Sequence, residues 1–285
     1  MKLLFALLQY CVPQQLLSRM MGALAESRVR PIKNLFIVIF SKVFKVNRAE
    51  AELEQLKHYP SFNDFFVRAL KPHVRPLCEE QQDIACPADG SVSQIGEVDR
   101  GCIFQAKGKE FTVTALLGGD DYLSQQFYGG KFATIYLAPK DYHRVHIPIG
   151  GQLQTMVHIP GSLFSVNRAT TKHIDQLFTR NERVVSIFDT EAGPMAVVMV
   201  GAMIVGSIET VWAGQITPYK KMIRTTHYPD DKEEVRLSKG EEMGRFKMGS
   251  TVMVLFGPDM AEWDTDILAG SRVQMGQRIG TLINV

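Results

Sequence analysis

Four cysteines in 285 residues, at positions 11, 78, 86 and 102, form no C-x-x-C pair and no metal-like spacing. A disulfide scaffold and a zinc module are thereby excluded, and the cysteines read as reduced thiols in a cytoplasmic setting. No apolar run reaches 18 residues, so no transmembrane helix is predicted. Acidic residues are nearly missing from the head of the chain. Residues 1–48 hold eight Lys or Arg against one acid, Glu26, a net charge of +7 opposed to −5 for the remainder. A basic head on an acidic body suits anionic phosphate, of lipid or of nucleic acid. The usual catalytic signatures are also absent: no G-x-S-x-G elbow, no H-E-x-x-H helix, no P-loop, and no G-x-G-x-x-G opening a helix. No internal repeat or low-complexity tract is present.

What remains is a chain of ordinary globular composition, 45% hydrophobic and 22% charged, long enough for one large domain or two modest ones. Its first apolar segment, Met1 to Val12, stops at Pro13. Ala23-Leu24-Ala25 imitates a leader cleavage site, but Pro13, Gln14, Gln15 and Arg19 separate it from the apolar run it should adjoin. A second segment, Ile32 to Phe44, is flanked or interrupted by Lys33, Lys42 and Lys45 and is too short to span a bilayer. Both read as helices lying in a membrane interface with the apolar face down. A buried helical hairpin is the alternative. Combined apolar and phosphate contact favours lipid, and no nucleic-acid-binding motif is visible.

Asn47 and Glu50 predict a helix running to His58-Tyr59-Pro60, and Ser61 to Leu70 predicts a second, halted by Pro72. Beyond Pro76, glycines, prolines and short β-branched runs take over. The expected pieces are a turn at Cys86–Ser91, a strand at Lys131–Leu137, and a turn over 138–142 leading into His143–Pro148. A loop-strand unit follows at His158–Asn167. Buried strands run from Ala196 to Ile208 with a break at Gly201 or Gly206, and a glycine-turned hairpin covers Val273–Gly280. The fold class expected is α+β. Residues 1–75 form a helical membrane-docking region, and residues 76–285 a β-rich, sandwich- or barrel-like catalytic domain.

One stretch carries unusual chemistry: Lys247-Met248-Gly249-Ser250-Thr251-Val252, running into the apolar Val252–Phe256. Glycine leaves its carbonyl open to attack, and the serine hydroxyl can turn that amide into an ester. Elimination then gives dehydroalanine, which hydrolyses to an N-terminal pyruvoyl group and ammonia. A serine hydroxyl is a weak nucleophile and needs a base. Gly-Ser also occurs at 90–91, 161–162, 206–207 and 270–271, and most such pairs are simple turns, so the dipeptide alone does not choose.

Context does. Phe62-Asn63-Asp64-Phe65-Phe66-x-Arg68-x-Leu70-Lys71-Pro72, Pro87-Ala88-Asp89-Gly90, Asp141-Tyr142-His143-Arg144-Val145-His146, Pro160-Gly161-x-Leu163-Phe164-Ser165-Val166-Asn167 and Gly249-Ser250-Thr251 occur in this order. Together they resemble the phosphatidylserine decarboxylase family in its bacterial, membrane-associated form. Met248 replaces the leucine of the family's L-G-S-T, a swap that keeps size and apolarity. The resemblance implies a cut between Gly249 and Ser250, giving chains 1–249 and 250–285 that stay together as a heterodimer, with a dimer of these left open. Ser250 would become the pyruvoyl cofactor, with His146 as the base for its hydroxyl and Asp89 orienting His146. The ketone would form an imine with phosphatidylserine, carbon dioxide would leave, and His143 would act as general acid on the way to phosphatidylethanolamine. No metal and no nucleic acid are implied, and the place is the cytoplasmic side of the cell membrane, held peripherally on anionic lipid. In a regular strand His143 and His146 face opposite sides, so their joint use requires a turn or bulge between Tyr142 and His146.

Three other readings are weaker. A pyruvoyl decarboxylase of a soluble amino acid has no use for the basic apolar head. A non-enzymatic carrier-like scaffold needs a modifiable lysine at its hairpin tip. A serine protease acting in trans would not carry its nucleophile at its own scissile bond.

Overall fold

A computed structural model gives the fold, describing residues 9, 13–167, 169–203, 207–217, 222–228, 234–247 and 250–283. Pro13 immediately precedes helix α1 (Gln14–Ala25). Helix α2 (Arg30–Phe44) carries Pro31 in its first turn, where a missing N–H costs nothing, and stops at Lys45 in a left-handed conformation. Among the described residues no helix is long and apolar enough to cross a membrane.

The helix expected over 47–58 is two single 3-10 turns instead, Arg48–Glu50 and Leu56–His58. Asn47 does cap as predicted, accepting from Ala49 N and donating to Glu50 Oε1. The chain then leaves the helical path because Glu50 O and Glu52 N bond to Lys71 N and Ala69 O. The same pairing ends helix α3 (Phe62–Phe66) well before Leu70, although Ser61 caps its start. Ile37 and Phe40 of α2 pack with Phe62, Phe65 and Phe66 in a compact aromatic cluster.

Strands follow in chain order: β1 (Asp83–Ala85), β2 (Gly90–Glu97), β3 (Cys102–Ala106), β4 (Lys109–Thr112), β5 (Lys131–Leu137) and β6 (Arg144–His146). Next come β7 (Gly151–Ile159), β8 (Arg183–Thr190), β9 (Gly193–Gly201), β10 (Ser207–Thr210), β11 (Gly214–Gln215), β12 (Arg224–His227) and β13 (Arg236–Leu237). The last are β14 (Glu242–Lys247), β15 (Ser250–Phe256), β16 (Ala261–Trp263), β17 (Arg272–Val273) and β18 (Arg278–Leu282). The main sheet has the order β12-β7-β8-β9-β15-β5-β2-β17, with β13 also on β7. A smaller sheet runs β11-β10-β14-β6, and a third β1-β18-β16. The class is α+β, dominated by sheet.

Strand β15 lies between β5 and β9, in register with both from Ser250 to Phe256. Val252, Val254 and Phe256 enter one core with Val145, Ile208 and Phe246 of the smaller sheet. Met253 and Leu255 enter a second core with Ile103, Phe111, Leu177 and Phe178. With both faces covered, β9 and β15 are apolar at successive positions rather than alternating. Gly201 ends β9, as the sequence suggested.

The expected hairpin over 273–280 does not form. Its turn exists, with Gly276 at φ 84, where a Cβ would sit 2.6 Å from Pro76 O. However, β17 pairs with β2 in the main sheet while β18 pairs with β1 and β16. The turn carries the chain from one sheet to another.

Candidate active site at a sheet crossing

β14 belongs to the smaller sheet and β15 to the main one, and only residues 248 and 249 join them. Beside this crossing β9 leads to β10 in the reverse direction, with Gly201 opposite Ser250 and Ser207 opposite Lys247. The sequence-predicted cut falls here. Met248 and Gly249 lie outside the described residues, as does the side chain of Ser250, whose backbone opens β15.

Three motifs meet at this end of β15. Ser250 is opposite Leu137, and the chain turns through 138–142 to reach His143. Tyr136 faces Thr251 on one side and Ser91 on the other. A Cβ on Gly90 would lie 2.4 Å from Tyr136 O, so glycine alone lets the 87–90 turn close onto β5. His146 N donates to Pro87 O at 2.8 Å, joining that turn to β6.

His143 is fully buried, stacked on Phe66 with ring centroids 4.1 Å apart and with Nε2 3.1 Å from Ala138 O. Burial first, then the charge of Arg68, push its pKa down to about 3, so the ring is neutral at physiological pH. A neutral ring donating from Nε2 presents Nδ1 as an acceptor, and among the described residues Nδ1 has no partner.

His146 has the opposite tautomer. Its Nδ1 lies 2.8 Å from Gly240 O, which accepts only, so Nδ1 carries the hydrogen. Nε2 then accepts from the Tyr142 hydroxyl at 3.1 Å. Burial lowers the pKa of His146 and raises that of Tyr142 to about 12. The result is a neutral imidazole whose basic nitrogen is held by a phenol that stays protonated.

Asp89 lies two residues from the Pro87 contact, yet shares no hydrogen bond with His146 in the continuous chain. Arg75 Nε donates to both its oxygens, at 2.8 and 3.1 Å, and Nη2 donates at 2.6 Å. Met275 N adds a fourth bond at 2.9 Å. Arg75 Nη2 also reaches Glu50 Oε2 at 2.9 Å. Asp89 acts on both histidines as a negative charge that favours their protonated forms. The irregularity expected between Tyr142 and His146 takes another form: His143 sits just ahead of β6, and the bulge is across the pair, between Glu242 and Gly244 of β14.

Sequence reasoning missed Arg75, Tyr142 and Gly240. Only Tyr142 had a signal, its place inside the Asp141–His146 motif. Among the described residues no group of three or more His, Cys, Asp or Glu is arranged to hold a metal ion.

The family model described as phosphatidylserine decarboxylase matches residues 62–281, and a second, described as PSD, matches residues 4–45. A protein of Pseudomonas putida strain F1 is 56% identical over 277 residues, 97% of this chain and 96% of its own length. One of Ectopseudomonas mendocina is 54% identical over 278 residues, covering 97% of both chains. One of Pseudomonas fluorescens strain SBW25 is 55% identical over 279 residues, covering 98% of both. All three are named phosphatidylserine decarboxylase proenzyme. With matches of this extent laid over the meeting of three of these motifs at one sheet crossing, the chain belongs to the phosphatidylserine decarboxylase family.

Proposed function

We propose that this chain is a proenzyme that cuts itself between Gly249 and Ser250 and then decarboxylates phosphatidylserine to phosphatidylethanolamine and carbon dioxide. The observation that carries the reading is the pair of neutral, oppositely oriented histidines at the crossing where Ser250 begins β15. In maturation His146 Nε2 takes the proton of the Ser250 hydroxyl as it attacks the Gly249 carbonyl. Asp89 stabilises the resulting imidazolium through space, and the Gly240 carbonyl fixes its tautomer.

The surroundings suit a pyruvoyl at position 250. His143 Nδ1 and Thr251 Oγ1 are buried polar atoms with no partner among the described residues; Thr251 is the second residue of β15, and His143 Nε2 bonds to Ala138 O, next to the Leu137 that pairs with Ser250. When present, the group supplies a carbonyl that takes up the electron pair released with carbon dioxide. His143 takes up a proton at Nδ1, its free acceptor, and passes it on, while Phe66 fixes its plane and excludes water.

After the cut, β15 remains hydrogen-bonded on both edges, β17 stays on β2, and β18 stays between β1 and β16. The 36-residue small chain is therefore retained as the partner of the large one.

Residues 1–75 carry the membrane dock and 76–285 most of the catalytic part, with Phe66 and Arg75 of the first region reaching His143 and Asp89 of the second. Ile37 and Phe40 of α2 are buried, yet Ile32, Leu35, Ile39 and Val43 form an exposed stripe on the same helix. Leu16, Met20 and Leu24 make a second stripe on α1. Apolar side chains left exposed at helical spacing, within a segment of charge +7, favour peripheral seating on the anionic cytoplasmic leaflet.

Intact-mass measurement tests the reading. Wild type should appear as 1–249 and a blocked 250–285, and Ser250→Ala as one inactive chain of 32.0 kDa. An uncut wild-type chain with full activity overturns it.

A further inference from the structure

Arg68 stands two residues beyond α3 and is only 4% exposed. Its Nη2 makes one long bond, 3.3 Å, to Lys140 O, and its guanidinium lies 5.4 Å from the centre of the Phe65 ring. Among the described residues Nε and Nη1 have no hydrogen-bond partner. The carboxylates whose charges reach it are engaged elsewhere. Asp89 and Glu50 are held by Arg75, and Asp141 by Arg272 at 2.7 Å and by Ala138 N. Arg68 is thus a buried cation without an anion, a costly arrangement that a fold keeps when a ligand completes it.

Its position says which ligand. Arg68 and His143 bond to the same turn, at Lys140 O and Ala138 O, and each presents unsatisfied nitrogen. Phosphatidylserine carries two anionic groups. Gripping the carboxylate would stabilise a charge that disappears as carbon dioxide leaves, raising the barrier. The phosphodiester keeps its charge from substrate to product.

We propose that Arg68 binds the phosphodiester of the lipid headgroup and so restricts the site to phospholipids over free amino acids. This rests on the reading of the chain as a phosphatidylserine decarboxylase. A guanidinium offers a planar fork of donors that a phosphate accepts in pairs. Burial chiefly keeps His143 neutral and the charge of Arg68 adds to it; phosphate at Arg68 removes that second contribution, so substrate arrival helps His143 take up its proton.

The test uses full-length protein carrying Arg68→Met, with Arg68→Lys beside it. Removing an unpaired buried cation for an apolar side chain of similar length should leave the melting temperature equal or higher. Self-cleavage, read by intact mass, should persist. KM for dihexanoyl phosphatidylserine should rise on the order of 10²-fold in Arg68→Met, with kcat falling less and Arg68→Lys intermediate. Dihexanoyl phosphatidylglycerol, which has the phosphodiester but no amine or carboxylate, should raise the melting temperature of wild type and not of Arg68→Met. Inorganic phosphate at the same concentration should do so weakly; an equal shift would mean an anion site indifferent to lipid. An unchanged KM in a cleaved variant overturns the proposal, as does phosphatidylglycerol stabilising wild type and variant alike. If Arg68→Met does not fold, the phosphatidylglycerol shift in wild type and Arg68→Lys decides. A wild type without phosphatidylserine decarboxylase activity refutes the broader reading instead.

Discussion

His143 makes the stability of the protein depend on pH in a way that can be isolated. Its ring is fully buried with a folded pKa of about 3, against an ordinary value of 6.5. Above pH 6.5 the ring is neutral both folded and unfolded and contributes nothing. As pH falls through 6.5 the unfolded ring binds a proton that the folded ring refuses, so stability is lost progressively toward pH 3. At pH 5 the loss from this residue is about 2 kcal/mol relative to pH 8, or roughly 4 °C in melting temperature. The measurement compares Ser250→Ala, which stays one chain, with Ser250→Ala/His143→Gln, each melted at pH 8 and pH 5. Other titrating groups, His146 included, contribute equally to both proteins and cancel. The His143-containing protein should lose about 4 °C more between the two pH values. Equal losses would mean that the folded ring already takes up its proton, and the assignment of a buried, neutral ring would be wrong.

Arg75→Gln should destabilise the chain by about 3 kcal/mol and slow self-cleavage, because the Asp89 carboxylate is left buried against one backbone N–H; unchanged melting would contradict this. His146→Ala should block cleavage, whereas His143→Ala should cleave and turn over some 10²–10⁴-fold more slowly. Reversed phenotypes, read by mass and carbon dioxide release, would exchange the two roles. Leu35→Asp, Ile39→Asp and Val43→Asp together should move the protein from membrane to soluble fractions, each losing roughly 2 kcal/mol of apolar insertion, with self-cleavage intact. Retention on vesicles would place the contact elsewhere. These substitutions are cleaner than removing residues 1–46, which also strips Ile37 and Phe40 from the aromatic cluster.

Much of the fold was legible in the sequence where local chemistry decides. Lys131–Leu137 reads as a strand and is one, because a β-branched and aromatic run ends at Pro139. The 86–91 turn and the apolar run to Gly201 are equally local. The misread elements depend on partners distant in sequence. Asn47 and Glu50 cap a turn as promised, but the 69–71 segment takes the backbone groups that a helix would have used. The 273–280 turn is visible, whereas the sheets on its two sides are not. For the site, motifs singled out Asp89, His143, His146 and Ser250 as candidates, yet nothing in their spacing says that Arg75 clamps Asp89 or that Arg68 is left without an anion.

The place of β15 also bears on how the chain folds. Its neighbours β5 and β9 are already present by residue 201, but the strand that joins them begins at residue 250. Until it arrives, β2–β5 and β7–β8–β9 are two half-sheets with open edges and no shared hydrogen bonds. Closing them requires loops of roughly 50 to 110 residues, an entropic cost met before any pairing repays it. Folding should therefore be slow and edge-exposed, with a vulnerability to aggregation that ends when residues 250–256 slot into the gap. The serine proposed to react opens that strand, so the two half-sheets are joined only once the residue proposed to cut the chain is in place.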